Sequence, residues 1–452
     1  MKENTMLAAG LAAFFLVVLP IHQPLGAQGR PPRTPQSSET PESDVEEAKL
    51  HLGSLLALVR ERSPGLRAAA LQVDATRTRE SEAGLLPDPT FMVGVANLAL
   101  PEFSATMPAS MAPSFQLAQR FPLAGKRSVR DEIAKQSTAI DSVLAEETWW
   151  GVRTEAAVGF YELYRIDRGI EVLRETLSLL EDFETVALSR YGAGTGPQAD
   201  VLRAGVAAAR MEADIERLSA LRRGAESKLN AVVNQSADTP LPSPELPNLP
   251  ADLPSLAALT EWAFETRPAL QGMELAAERA TSNRRLAEKA IWPDLTVGLH
   301  YALGRMEGDP TNMGGASVGF SVPLYAGKRQ RKLREEATVL ESLAAVRLEE
   351  ARTLVNASIN QTLAELDRAR NLLRLYREDI LPQARAGVES SLASYRVGAL
   401  DFMALVDAQM AVNRFDGEYF DLLADYGSAV AQLEQTIGRD LPVSGDFILE
   451  IQ

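Results

Sequence analysis

The chain has 452 residues, no cysteine and a formal net charge of −15 at pH 7. This length allows two or three domains. The lack of cysteine excludes disulfides, thiolate metal sites, a cysteine nucleophile and lipid attachment through an N-terminal cysteine. The negative charge argues against nucleic acid as a partner.

The N-terminus has the pattern of a secretory signal peptide over residues 1–27. Lys2 precedes the apolar run LAAGLAAFFLVVL, and small residues follow it, so we expect cleavage after Ala27. A short buried core helix is the alternative. Residues 28–48 are rich in proline, serine and acidic residues and predict a flexible tail. The mature protein is therefore expected to be exported, without a transmembrane helix, because no later apolar stretch reaches about 18 residues.

Residues 49–234 form the first large unit. A helical segment at about 49–86 ends at Pro87. Two runs that alternate large apolar with small or polar residues then predict strands at about 89–100 and 114–123. A long helix is predicted at 127–190, where apolar residues step by four and three as in a heptad seam. The glycines of YGAGTG, from Tyr191, predict a turn before another helix at about 199–233.

The proline-rich segment 235–254 is predicted to be a linker, after which residues 255–438 repeat the same landmarks. LPDPT at 86–90 returns as WPDLT at 292–296, and RFPLAGKR at 120–127 returns as VPLYAGKR at 322–329. The turn sequence at Tyr191 returns as YRVGAL at Tyr395. The same order at nearly constant spacing indicates a tandem duplication, and residues 439–452 form a C-terminal tail.

The second unit predicts the same elements as the first. A helical segment at about 252–291 precedes strands at about 294–304 and 315–325, and a long helix at 329–394 follows. Pro382 is expected to kink this helix, and a further helix follows at about 402–437. The strand lengths suit a tilted crossing of a bilayer, with the small or polar face lining a pore. An ordinary hairpin on a soluble core is the alternative.

Four strands are too few to close a barrel, and an open sheet edge cannot lie in lipid. If these strands span a membrane, several chains must share one barrel. The duplicated plan with its PDPT/WPDL, FPLAGKR/VPLYAGKR and Y-x-x-G landmarks resembles the TolC-like outer-membrane efflux family over essentially the whole mature chain. The stretch MAPSFQLAQRFPLAGKR is similar to the branch that serves heavy-metal and cation pumps.

The resemblance implies a mainly α fold with a small β part, built from the duplicated helix–β-hairpin–long helical hairpin unit. Three chains would form a 12-stranded β-barrel continuous with a 12-helix α-barrel. The implied function is the outer-membrane channel of a tripartite efflux system, which passes metal cations or drugs from an inner-membrane pump and its periplasmic adaptor. A duct for type I protein secretion and a periplasmic coiled-coil adaptor or structural protein remain alternatives.

The repeated PLAGKR phrase is predicted to mark the junction between barrel and helix. Pro122 and Pro323 would end the strands, and Gly125 and Gly327 would permit the bend. The following basic residues would reach lipid phosphates at the inner interface, or else simply begin a solvated helix; they are Lys126, Arg127, Lys328 and Arg329.

The turns between the long helices are predicted to expose small or apolar residues to another helical hairpin. The resemblance implies that a periplasmic adaptor docks there, and a plain solvent-exposed turn is the alternative. The docking residues would be Gly194, Thr195, Val397, Gly398 and Ala399.

The resemblance also implies a periplasmic gate beyond the second turn. Asp407 matches an acidic position that rings the aperture, Tyr395 matches a tyrosine that helps to hold the gate, and Asp200 is a second acidic candidate in the first unit. The chain departs from the family pattern at Leu400 and Ala404, where some members carry arginine and aspartate. Pairing of Asp407 with an arginine of a neighbouring helix is the alternative.

An enzyme is not expected. The chain has only three histidines, and it has no phosphate-binding glycine loop and no H-E-x-x-H or nucleophile-elbow motif. We expect no cofactor and no resident metal site. Expected partners are two further copies of the chain, an adaptor, a pump and outer-membrane lipid of a Gram-negative-type cell. The cargo, the cognate pump and the resting state of the gate cannot be inferred from the sequence.

Overall fold

The computed structural model describes residues 49–96, 112–306 and 309–442. In chain order the elements are β1 (Leu50–His51), α1 (Leu52–Arg62), α2 (Pro64–Ala83), β2 (Thr90–Ala96), β3 (Ala112–Phe121), α3 (Lys126–Gly192), α4 (Gln198–Val233), β4 (Pro244–Glu245), α5 (Leu256–Thr266), α6 (Pro268–Lys289), β5 (Leu295–Met306), β6 (Asp309–Phe320), α7 (Arg329–Leu375), a π-helical turn (Tyr376–Ile380), α8 (Leu381–Arg396) and α9 (Phe402–Ile437). The predicted signal peptide, the predicted 28–48 tail, residues 97–100 of the first predicted strand and residues 443–452 lie outside the described residues.

The four longer strands form one antiparallel sheet in the order β2-β3-β5-β6. Strand β3 of the first unit pairs with β5 of the second, with Phe121 opposite Leu295. Strands β2 and β6 each pair on one side only, so they are the two edges of the sheet. The sheet therefore joins the two units of the duplication and leaves one strand of each with an unpaired edge.

Alternating side chains give the sheet two different faces, as the period-two pattern predicts. Phe91 and Val93 of β2 and Leu299 and Tyr301 of β5 are large apolar side chains that remain exposed in the single chain. Their sequence neighbours, such as Gly298, are small or polar. An exposed apolar face of this kind suits contact with lipid.

Helix α3 has 67 residues, which at 1.5 Å per residue extends over about 100 Å. The predicted heptad positions Ile166, Ile170, Leu173 and Leu180 are buried. Helices α3 and α4 form one helical hairpin, and the second unit forms the other from α7, α8 and α9. The π-helical turn separates α7 from α8, and Pro382 lies in the first turn of α8, so the interruption expected at this proline is confirmed. Of the helices in the described ranges, none is both long and apolar enough to cross a membrane.

The buried apolar residues form two clusters. The larger one lies where α3, α4, α7 and α9 pack with α1 and α5, around Phe160, Leu229 and Tyr426. The smaller one lies near the ends of the helical hairpins and contains Phe183, Met211, Tyr395, Phe402 and Leu405. The second cluster holds the two hairpins of one chain together next to their turns.

The segment 235–254 packs on the larger cluster. Within it, β4 pairs in parallel with β1, Leu249 is buried, and Tyr426 donates a hydrogen bond of 2.6 Å from its hydroxyl to the carbonyl of Pro250. This linker is therefore fixed to the helices by backbone pairing, by burial of Leu249 and by the hydrogen bond from Tyr426.

The last strand differs from its predicted range of 315–325. Strand β6 begins at Asp309, because it continues to pair with β5 up to Met306. The residues of this stretch are typical of turns, so the sequence did not predict a strand there. It ends at Phe320, opposite Leu295 where β5 begins, and a single backbone bond from the N–H of Ser321 to the carbonyl of Asp294 lies beyond that point. The apolar alternation that continues to Leu324 therefore does not belong to the strand.

Candidate functional site

The two helical hairpins end in turns of the same kind. Gly194 follows α3 with φ of 69°, and Gly398 follows α8 with φ of 76°, in the left-handed region that glycine adopts without steric cost. In each turn the glycine N–H bonds the carbonyl three residues earlier, and the next N–H bonds the carbonyl five residues earlier: Gly194 to Tyr191, Thr195 to Arg190, Gly398 to Tyr395 and Ala399 to Ser394. These are paired Schellman caps.

The five predicted docking residues lie on these turns and are exposed: Gly194, Thr195, Val397, Gly398 and Ala399. Val397 is 79% exposed and is the largest apolar side chain among them. A Cβ on Gly194 would meet no atom within 4 Å, whereas one on Gly398 would lie 3.2 Å from the guanidinium of Arg190. The tips therefore offer backbone and one apolar side chain to any partner.

Arg190, which sequence reasoning missed, connects the two tips. It donates one hydrogen bond of 2.6 Å to the carbonyl of Tyr395 and another of 3.1 Å to the carbonyl of Thr195. Its guanidinium also lies 4.5 Å from the centre of the Tyr395 ring, which is a favourable cation–π distance. The one available signal was a basic residue in the last turn of a long helix, where a cation favours the helix dipole.

Tyr395 is only 1% exposed, and its hydroxyl donates a hydrogen bond of 3.1 Å to Oδ2 of Asp200. Burial, followed by this bond and the charge of Asp200, raises the pKa of Tyr395 to about 12. The phenol is therefore neutral at physiological pH and remains a donor. The structure brings together two of the three predicted gate residues, one from each unit.

Asp200, predicted as a second acidic gate residue, is buried within the single chain and does not face solvent. It lies in the first turn of α4 and is 4% exposed in the isolated chain, so assembly cannot expose it further. Its Oδ1 has no hydrogen-bond partner, and the nearest cation is Arg203 at 3.8 Å. Asp200 is thus a buried acceptor for Tyr395.

Asp407 lies apart from this cluster, near the start of α9. Its side chain is exposed. It makes no hydrogen bond or ion pair with the described residues, so the alternative of an arginine partner is not observed within the chain. Among the three predicted gate residues, Asp407 is the one whose carboxylate faces solvent.

The first junction departs from the predicted contact with lipid phosphates. Lys126 is 7% exposed, and its Nζ donates to Oδ1 of Asp294 at 2.7 Å and to the carbonyl of Trp292 at 2.6 Å. Arg127 donates to the carbonyl of Gly84 from Nη2 at 2.7 Å. Both cations face protein acceptors because α3 begins against the ends of α2 and α6. Gly125 adopts φ of 70°, so the predicted bend after Pro122 is present.

The second junction is open. Pro323 precedes a turn at residues 324–328, Lys328 ends that turn and Arg329 begins α7. Both basic residues are exposed and unpaired within the described residues. Gly327 is not among the residues with positive φ, so the bend here does not require glycine. No group of acidic and histidine side chains suited to a metal ion occurs in the part of the chain that the structure describes.

The fold is similar to those of several solved outer-membrane proteins. It matches the outer membrane protein VceC of Vibrio cholerae with a TM-score of 0.72 and 17% identity, over 86% of this chain and 96% of that one. It matches CusC, described in a study of folding and transmembrane channel formation, with a TM-score of 0.74 and 15% identity, over 90% of this chain and 99% of that one. It matches the open state of the Neisseria gonorrhoeae MtrE outer membrane channel with a TM-score of 0.71 and 17% identity, over 86% of this chain and 89% of that one.

The sequence is similar to proteins of the same kind. Residues 259–439 match the family model described as outer membrane efflux protein. The cobalt-zinc-cadmium resistance protein CzcC of Cupriavidus metallidurans is 23% identical over 402 residues, which cover 86% of this chain and 90% of that protein. The expected resemblance to the outer-membrane efflux family is confirmed by these matches.

Proposed function

We propose that the protein is the exit duct of a tripartite efflux system for divalent metal cations and works as a homotrimer in the outer membrane. The observation that carries this proposal is the four-stranded sheet with its two unpaired edge strands. Unpaired backbone groups cannot lie in lipid, and four strands cannot close on themselves. Pairing of β6 with β2 of the next chain resolves both problems, and three copies give 12 strands.

The helical hairpins supply the second part of the duct. The length of α3, about 100 Å, suits a tunnel that crosses the periplasm. The exposed turns at its far end would receive a periplasmic adaptor, with Val397 as an apolar contact and the backbone of Gly194 and Gly398 open to close approach. An inner-membrane pump would load cargo through that adaptor.

The cluster of Arg190, Tyr395 and Asp200 would keep the entrance narrow. It joins the end of α3 and the start of α4 to the end of α8 through the carbonyl of Tyr395, which accepts from Arg190, and the buried carboxylate of Asp200, which accepts from Tyr395. Opening the tunnel by moving one hairpin away from the other must break these bonds. Three exposed Asp407 carboxylates would add negative potential near the opening and favour cations.

Metal cations are favoured as cargo by the sequence relative, whose description is cobalt-zinc-cadmium resistance. No observation favours the alternatives of protein secretion or a periplasmic adaptor. The test is complementation: a strain that lacks this chain should lose resistance to zinc, cobalt or cadmium and regain it with the wild-type chain. Unchanged metal resistance without the chain, in a strain with no second channel, contradicts metal export.

A further inference from the structure

The buried junction of the first unit is a contact between the two halves of the duplication. Lys126, which begins α3, reaches across to Asp294, which lies just before β5. The side chains of this pair are 9% and 20% exposed, and the two nitrogen–oxygen contacts of Lys126 are both shorter than 2.8 Å. A lysine of the first unit thus fastens onto the WPDL segment of the second.

The sequence contains the reciprocal partners, but the single chain leaves them apart. Lys328 occupies the position of Lys126 in VPLYAGKR, and Asp88 occupies the position of Asp294 in LPDPT. Both side chains are exposed, and neither bonds a described residue. Lys328 follows the edge strand β6, whereas Asp88 precedes the opposite edge strand β2.

The apolar residues around Lys328 are also uncovered. Leu324 and Tyr325 are 83% and 73% exposed, whereas Leu123 at the first junction is 36% exposed. The first junction is covered by the ends of α2 and α6. The second junction has no counterpart for the end of α6 in its own chain. The counterpart of the WPDLT segment that follows α6 is the LPDPT segment, and that segment lies at the other edge of the sheet.

We propose that Lys328 forms an intermolecular ion pair with Asp88 of a second copy of this chain. This inference rests on the proposed trimer, since a ring places the β6 edge of one chain against the β2 edge of the next. The carbonyl of Leu86, which precedes Asp88 as Trp292 precedes Asp294, is the second acceptor. Both contacts of Lys126 between the first and second units would thereby be repeated between chains.

A second contact between the two units, further along the helices, also has a counterpart between chains. Glu147 of α3 accepts a hydrogen bond of 3.1 Å from the N–H of Ala269, next to Pro268 at the start of α6. Glu349 lies as far after Lys328 as Glu147 lies after Lys126, and Gly65 follows Pro64 as Ala269 follows Pro268. Glu349 is exposed and unpaired within the described residues, so it is free to accept from Gly65 of the adjacent copy.

A third contact between the two units, an ion pair, has no counterpart between chains. Glu132 of α3 pairs with Arg285 of α6, but the residue at the position of Glu132 in α7 is Arg334. Arg334 lies 3.5 Å from Glu288 of its own chain. Charge matching between chains is therefore concentrated at Lys328 and Asp88, which makes this pair the appropriate one to test.

Cysteine cross-linking tests the pair directly because the chain contains no cysteine of its own. Membranes carrying Asp88→Cys with Lys328→Cys would be treated with a short bismaleimide and analysed on a denaturing gel. The pair Asp88→Cys with Lys332→Cys is the matched control, one helical turn further along α7. The pair Lys126→Cys with Asp294→Cys is a control for cross-linking within one chain.

We expect covalent dimers and trimers from the 88/328 pair, monomers from the 126/294 pair and little product from the 88/332 pair. Charge reversal gives an independent measurement. Asp88→Lys or Lys328→Asp should accelerate trimer dissociation in detergent by about tenfold or more, and the double variant should recover most of that loss. A wild-type trimer by native mass spectrometry without cross-linking at 88/328 overturns this inference and leaves the proposed function intact, whereas a wild-type monomer overturns both.

Discussion

Tyr395→Phe is expected to loosen the periplasmic entrance while leaving the fold intact. The substitution removes only the hydroxyl, and the ring keeps its edge contact with Phe402, at 5.4 Å between centroids, and its place beneath Arg190. What is lost is the bond to Asp200, a carboxylate that is 4% exposed and whose other oxygen already has no partner.

A hydrogen bond to a charged group contributes about 1.5–3 kcal/mol. Since about 1.4 kcal/mol corresponds to a factor of ten, the equilibrium between joined and separated tips should shift by about 10- to 100-fold toward separation. The shift favours opening because the bond joins α4 of one hairpin to α8 of the other.

Conductance in planar lipid bilayers measures this shift as an increase in open probability. Tyr419→Phe is the matched control, because Tyr419 is also buried on a hairpin helix and its hydroxyl bonds none of the described residues. If Tyr395→Phe conducts like the wild type and the control, the bond to Asp200 does not hold the entrance.

Asp407→Ala should lower the cation selectivity measured as reversal potential, with little change in trimer stability, whereas Asp401→Ala removes an equally exposed charge as the control; equal effects of both would refute a specific gate position. Val397→Glu should abolish adaptor-dependent efflux but not membrane insertion, and normal efflux would remove this tip from the docking surface. Since the pKa of Tyr395 is raised from 10.0 to about 12, its neutral form stabilises the cluster below pH 10 and this stability falls as pH rises through about 12. Wild-type conductance should therefore rise as the pH is raised from 10 to about 12, and a conductance that does not change over this pH range would contradict the prediction. Arg190→Lys should raise open probability, because lysine lacks the planar fork that reaches two carbonyls, and a wild-type recording would refute the bridging role.

The helices and their hairpin arrangement could be predicted from the sequence because their signals are local. The prolines and glycines that end each segment and the three-four spacing of Ile166, Ile170 and Leu173 need no knowledge of distant residues. The strand ends were less predictable, since alternation alone does not show where the partner strand stops. Strand β6 therefore ends at Phe320 although the apolar pattern continues.

The site could be predicted only where a residue acts within its own turn. Gly194 and Gly398 could be assigned to turns because glycine interrupts the helical pattern there. The roles of Lys126, Asp200 and Arg190 depend on partners from the other unit, at separations of 168, 195 and 205 residues. Periodicity cannot show such partners, so the burial of Lys126 against Asp294 and of Asp200 against Tyr395 could not be predicted.

The central claim is that cations leave the cell through this protein after an adaptor and a pump have delivered them. The most direct measurement is release of radioactive zinc from preloaded cells that contain the native pump and adaptor, followed by separation of periplasm and cytoplasm. The account predicts that cells without the chain retain zinc and hold the excess in the periplasm, and that the wild-type chain restores its release. Equal release with and without the chain would contradict it.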